Sequence, residues 1–258
     1  MLQIDNHGAL RVLTMDRPAV RNALSASLLK ELRAAVHAAK ADRECRALMI
    51  TGSGKSFCSG ADVQEWAKAE EAGQLETYGW TEAAHALCLE IYDFDRPTIA
   101  LLNGAAVGAG LDLACACDFR LSADTAKFSC AYTKMGYAPD CGGTWFLPRL
   151  IGIEAAKLFV FTGAFWSAEE ALQRGLITEL HPSELLFERG IAFAQRLANG
   201  PTVALAAAKR LMRESFIRNL AAQLAAERAV GEICGRTRDA KEALTAAIAK
   251  RDPVFNGH

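Results

Sequence analysis

The spacing of apolar and polar positions changes several times along the chain. Ala9 to Met15 alternate, as a half-buried strand requires. After Ser25, a residue that can cap a helix, Leu28, Leu29, Leu32, Ala35, Val36 and Ala39 recur at helical spacing. Ala47 to Thr51 predicts another short strand. The segment 64–96 reads as irregular apart from helical spacing over Trp80 to Tyr92. A strand at 98–102, a glycine turn, a helix at 109–117 and a strand from Phe119 to Ser122 come next. From Ile153 the pattern is mostly helical: Ser167 and Glu170 form a capping box, and Ala/Leu-rich segments occupy 183–198, 202–214 and 219–234. The order predicts an α/β core over 1–190 and a helical region over 191–258. Alanine-rich helices of this kind pack closely on a core or on a second subunit.

Composition narrows the possibilities. In 258 residues and 27.8 kDa, 51% are hydrophobic and 23% charged, which excludes a disordered chain and allows a sizeable core. The 29 Lys+Arg against 30 Asp+Glu leave no broad basic field for a polyanion, so no nucleic-acid partner is expected. Eight cysteines scattered through apolar segments read as reduced, buried thiols, and the acidic, alternating start lacks the features of a secretory leader; a cytoplasmic location is expected. Residues 98–117 are long enough for a membrane span, but Asn103, Asp112 and the glycines at 104, 108 and 110 point to buried strand, turn and helix.

Several familiar motifs fail on spacing. TGSGKS (51–56) has Met49 where a phosphate-binding loop needs its first glycine. Gly108-Ala-Gly110 is followed by Leu113 where a dinucleotide fingerprint needs a small residue. Phe57 stands where the hydrolase nucleophile turn around Ser59 would need glycine. No Cys/His set has zinc spacing, so no metal is expected.

Two segments hold together chemically, SFCSGAD (56–62) and NGAAVGAGLD (103–112). Each places small residues after a strand and before a helix, where backbone N–H groups lack intrahelical partners. Two such ends facing one another would hold an oxygen that gains negative charge, with small side chains letting a ligand reach the backbone. Tight packing alone is the other use of such turns.

These segments occur in order with RPAVRNAL (17–24), CD (117–118), PDCGGT (139–144) and AKRDPVF (249–255). Together they resemble the crotonase (enoyl-CoA hydratase/isomerase) superfamily over nearly the whole length. The resemblance implies an α/β spiral of repeated ββα units with a C-terminal helical trimerisation region, assembled as a homo-trimer or hexamer. It implies an acyl-CoA thioester substrate, with coenzyme A arriving as part of it and no separate cofactor. The oxyanion N–H groups fall on Ala61 and Ala109. CoA and substrate contacts fall on Val20, Arg21, Ala23, Ser59, Gly60, Asp62, Val63, Gly108 and Tyr132, with Lys250 and Phe255 in a tail that reaches a neighbour's CoA.

The carboxylates decide the chemistry that the resemblance implies. Hydratases of the family use two glutamates, whose positions here carry Asp112 and Tyr132; tyrosine is a poor carboxylate substitute, with an ordinary pKa of about 10. Asp140, in GYAPDCGGTW (136–145), occupies the acid/base position of the ring-epoxide-CoA isomerases of phenylacetate breakdown and of the β,γ-to-α,β enoyl-CoA isomerases. The expected function is therefore an acyl-CoA isomerase with Asp140 as acid/base. A hydratase using Asp112 and Asp140 is the alternative, and an idle acyl-CoA- or RNA-binding member is a third. Asp112 also suits a helix first turn through the dipole alone. Tyr132 and Trp145 are candidates for the acyl pocket wall or for plain core.

Overall fold

The computed structural model describes residues 1–74 and 77–258. β1 (Leu2–His7) and β2 (Leu10–Met15) form an antiparallel hairpin, and α1 (Ala26–Ala41) follows, with Ser25 Oγ accepting from the Leu28 N–H. The predicted stripe from Leu28 to Ala39 is buried. β3 (Ala47–Gly52) and β4 (Ser56–Cys58) lead into α2 (Val63–Glu71) and α3 (Tyr78–Tyr92). β5 (Thr98–Leu102) and β6 (Ala105–Val107) lead into α4 (Ala109–Ala116), and β7 (Phe119–Ala123) and β8 (Lys127–Ser129) into α5 (Gly143–Ile151) and α6 (Ile153–Thr162). β9 (Trp166–Ser167), α7 (Ala168–Gln173), β10 (Glu179–His181) and α8 (Leu186–Ala198) complete the body; α9 (Thr202–Glu214), α10 (Leu220–Cys234) and α11 (Arg238–Ala249) follow.

Among the described residues the strands form a six-stranded sheet, β1-β2-β3-β5-β7-β10, and a four-stranded sheet, β4-β6-β8-β9. Each pair β3/β4, β5/β6 and β7/β8 contributes one strand to each sheet, and successive turns stack in parallel, which is the expected spiral. β3 and β5 are buried at every position, as strands covered on both faces must be, and so they read as continuous apolar runs without alternation.

The structure departs from the sequence reading in several places, the largest being the four-stranded sheet, whose strands β4, β6, β8 and β9 are only two or three residues long and too short to show a pattern. β1 was not expected, because its alternation is brief and acidic and its central residues are exposed, as on an outer strand that buries little. The segment 64–96 is largely helical: α2 has no fully buried residue and rests on the core mainly through Trp66, so it lacks the stripe that would have revealed it. α5 is hidden by its opening glycine and by Pro148. The boundary at 190 falls inside α8, which packs on the sheet with Gly190 against Leu101.

The last helices touch the body lightly: α9 buries no residue and α10 only Val230. α9 is pinned by Lys209, whose Nζ lies 2.7 Å from Asp118 Oδ2 and also bonds to the Arg96 carbonyl. Burial lowers the Lys209 pKa while the Asp118 charge opposes the shift. The same Asp118 oxygen accepts from the Thr98 N–H and hydroxyl, so the aspartate of the 117–118 pair locks β5 to the start of β7. The eight cysteines are free, Cys234 half-buried and the others buried. No described helix is long and apolar enough to cross a membrane.

Candidate active site

The parallel pair β4–β6 delivers the two glycine-rich segments to one place. Ser56 pairs with Ala105 and Cys58 with Ala106, so both strands end side by side, one running into α2 and the other into α4. Gly60 sits at φ +91°, and a Cβ there would meet the Val107 carbonyl at 2.9 Å and Ala109 N at 3.4 Å. Only glycine lets the 60–61 peptide lie against the α4 start. The Ala61 N–H has no hydrogen-bond partner among the described residues, and Ala109 supplies the first amide of α4, which a helix leaves without an internal acceptor. The 60–61 peptide thus lies close to the amide of Ala109, so the two N–H groups expected as donors belong to neighbouring segments.

The surrounding loop is fastened from several directions. Leu24 N–H donates to Gly60 O at 2.8 Å, and Ser59 N–H to Arg21 O at 3.0 Å. The Ser59 hydroxyl donates to Val20 O at 3.4 Å. Arg17 donates to Ala23 O at 2.5 Å and to Asp62 Oδ2 at 3.0 Å, while Asp62 Oδ1 caps α2 by accepting from the Glu65 N–H. The Asp62 carboxylate, expected at the substrate, is therefore committed to holding the loop. Val20, Arg21, Ala23, Ser59, Gly60 and Val63 do gather here, with Arg21 exposed and in no ion pair among the described residues. Lys250 and Phe255 do not join them: Lys250 ends α11 on the surface, and the Phe255 carbonyl accepts from Arg46.

Two carboxylates stand beyond the amides. Asp112, in the first turn of α4, is fully buried; its Oδ2 accepts from the Tyr132 hydroxyl at 2.7 Å, and its Oδ1 has no partner among the described residues. Burial pushes its pKa up to about 7. The Tyr132 hydrogen bond pulls it down, as does the nearby Gly143 amide, whereas the Asp140 charge pushes it up and the Cys141 amide pulls it down. Gly143 is held to glycine by this contact, since a Cβ there would lie 2.5 Å from Oδ1. Tyr132 crosses in front of Gly108, its ring 4.0 Å from where a Cβ of that glycine would stand.

Asp140 lies between Pro139 and the start of α5, half-buried, with Oδ1 accepting from Cys141 Sγ at 3.5 Å and no ion pair among the described residues. Its main-chain carbonyl accepts from His85 Nε2 on α3. Burial pushes the Cys88, Cys130 and Cys141 thiols up, so they are poor nucleophiles. Trp145 packs edge-on against Tyr92 and Phe146, with Arg149 stacked over its ring, and is part of that cluster. No group of three or more His, Cys, Asp or Glu among the described residues is placed to hold a metal ion.

Arg17, Trp80 and His85 were not assigned to the site from the sequence. Arg17 stands in the RPAVRNAL segment, and its position there is the signal that was available. Nothing in the local pattern marks His85, because its partner is 55 residues away.

Known proteins resemble this chain over nearly its whole length. The family model for enoyl-CoA hydratase/isomerase matches residues 5–258. A probable enoyl-CoA hydratase of Rhodobacter capsulatus is 42% identical over 249 residues, covering 96% of this chain and 95% of the relative. The 1,2-epoxyphenylacetyl-CoA isomerase of Escherichia coli is 33% identical over 247 residues, covering 95% and 94%. The crystal structure of an enoyl-CoA hydratase from Bacillus anthracis superposes with a TM-score of 0.92 at 31% identity, covering 100% of this chain and 99% of that one.

Proposed function

The chain belongs to the enoyl-CoA hydratase/isomerase family, and we propose that it is an acyl-CoA isomerase that moves a proton with a single carboxylate, Asp140. The thioester carbonyl of a β,γ-enoyl-CoA sits between the Ala61 and Ala109 N–H groups. Asp140 removes the α proton, and the C–H electron pair flows into a dienolate whose oxygen those two amides stabilise. The same carboxyl returns the proton to the γ carbon, leaving a conjugated α,β-enoyl thioester and the original carboxylate. No atom is gained or lost. A 1,2-epoxyphenylacetyl thioester is the second substrate class, supported by the likeness to the Escherichia coli isomerase.

The observation that carries this reading is the state of Asp112. It is wholly buried, one oxygen is occupied by Tyr132 and its ionisation is disfavoured, so one carboxylate, Asp140, remains to act as base. Hydration is the second reading, with Asp112 and Asp140 gripping a water; it draws support from a pKa of about 7, which allows Asp112 to exchange a proton near neutrality, and from the name of the Rhodobacter capsulatus relative. Turnover of a β,γ-enoyl-CoA by Asp112→Asn and Asp140→Asn separates the two. The isomerase reading expects the first to keep at least about a tenth of wild-type turnover and the second to lose about a hundredfold or more; equal loss in both favours the pair.

CoA binding is proposed for the loop of Val20, Arg21, Ala23 and Ser59, with Lys250 and Phe255 serving a neighbouring copy's site in a trimer or hexamer. This is supported by the tail's own contact, with the Phe255 carbonyl accepting from Arg46 and from none of the loop residues, and by the exposed Phe216, Ile217, Leu220 and Leu224. Sedimentation at three or six times 27.8 kDa is the expected result.

A further inference from the structure

α3 touches both halves of the proposed site. Near its start, Trp80 Nε1 donates to the Leu24 carbonyl at 2.7 Å, and Leu24 forms a parallel bridge with Ala61, one of the two oxyanion donors. Five residues on, His85 Nε2 bonds to the main-chain carbonyl of Asp140. A carbonyl can only accept, so the ring carries its proton on Nε2. Along the helix axis the two anchor points are about 7.5 Å apart.

The base segment has little else to hold it. Pro139 has no N–H, the turn before it closes with Tyr137 N–H to Tyr132 O, and α5 begins only at Gly143. Among the described residues, the His85 contact is the one hydrogen bond made by the backbone of Ala138, Pro139 and Asp140. The same edge of α3 continues to Cys88, one turn on, a buried thiol that feels the Asp112 charge and in turn acts on Cys141. This edge therefore faces the carboxylates.

We infer that His85 is a positioning residue for the proton transfer, and that α3 is a spacer that sets Asp140 against the oxyanion amides through Trp80 and His85. The inference rests on the reading of Asp140 as the base. His85 bonds to the main chain of Asp140 and not to its carboxylate; it fixes the peptide from which the Asp140 side chain projects. Misplacing a base mainly lowers the rate from the bound complex, and the CoA-binding loop is fastened by other residues, so kcat and KM should separate.

The test measures kcat and KM for a β,γ-enoyl-CoA with wild type, His85→Ala, His85→Gln and Asp140→Asn. His85→Ala is expected to lower kcat about tenfold with KM within about twofold, and His85→Gln, whose amide can donate to the same carbonyl, to recover to within about threefold of wild type. Because His85 is exposed, both variants are expected to fold. Wild-type kcat in His85→Ala while Asp140→Asn is inactive overturns the positioning role and leaves Asp140 as base. A combined change in kcat and KM that Gln does not repair also overturns it. Full turnover by Asp140→Asn, or none by wild type, overturns the reading of Asp140 and the inference with it.

Discussion

The Tyr132 hydroxyl donates a 2.7 Å hydrogen bond to Oδ2 of Asp112, in the first turn of α4. A phenol thus occupies one oxygen of the buried acid. Burial pushes the phenol pKa up, so Tyr132 remains a donor throughout the accessible pH range.

Removing that donor raises the Asp112 pKa, since the hydrogen bond is among the influences holding it down. In Tyr132→Phe, infrared titration of the buried carboxyl stretch should show Asp112 protonated to a pH above about 7, with Asp112→Asn identifying the band. Stability should fall by about 1–3 kcal/mol, the cost of an unsatisfied buried acceptor. Isomerase turnover should remain within about tenfold of wild type.

The raised pKa of Asp112 also gives stability a pH dependence of definite sign. Between the ordinary carboxylate value of 3.8 and about 7, the folded chain keeps a proton that the unfolded chain has lost. The unfolded state binds fewer protons, so this group's contribution to stability falls as pH rises through that window and levels off above it. Chemical denaturation at a series of pH values should show this decline in wild type and a flatter profile in Asp112→Asn.

Gly143 is required for space, since a methyl group there would stand 2.5 Å from Asp112 Oδ1. Gly143→Ala should destabilise the fold by about 1–3 kcal/mol, in the range of core overpacking, and lower turnover by displacing the start of α5, just beyond Asp140. Thermal unfolding together with kcat measures both.

Arg17 ties two loops to the oxyanion segment through Ala23 O and Asp62. Arg17→Met leaves the buried Asp62 carboxylate without its cation and should cost about 3 kcal/mol. kcat/KM should fall about tenfold or more as the Ala61 amide loses its support.

Much of the spiral was legible because its inner strands are uninterrupted apolar runs and α1 has a sharp stripe and a serine cap. The close approach of the 60–61 peptide to α4 was legible for a related reason: backbones that meet need small residues, and small residues are visible in sequence. α2 was not, because a helix that meets the core mainly through one residue, Trp66, has no periodicity to read. Nor was the fate of Asp62, whose carboxylate looks available in sequence and is consumed by Arg17 and a helix cap in the fold. Asp140 required the resemblance, since an aspartate after proline is ordinary turn chemistry. The contact of His85 with Asp140 spans 55 residues and depends on α3 crossing α4, a tertiary fact with no local trace.

The most direct test incubates the purified protein with a β,γ-enoyl-CoA and follows the products by chromatography with mass detection, beside Asp140→Asn. A conjugated product of unchanged mass, absent with the variant, is the predicted result. A product heavier by one water, or undiminished isomerisation by Asp140→Asn, would contradict a single-carboxylate isomerase.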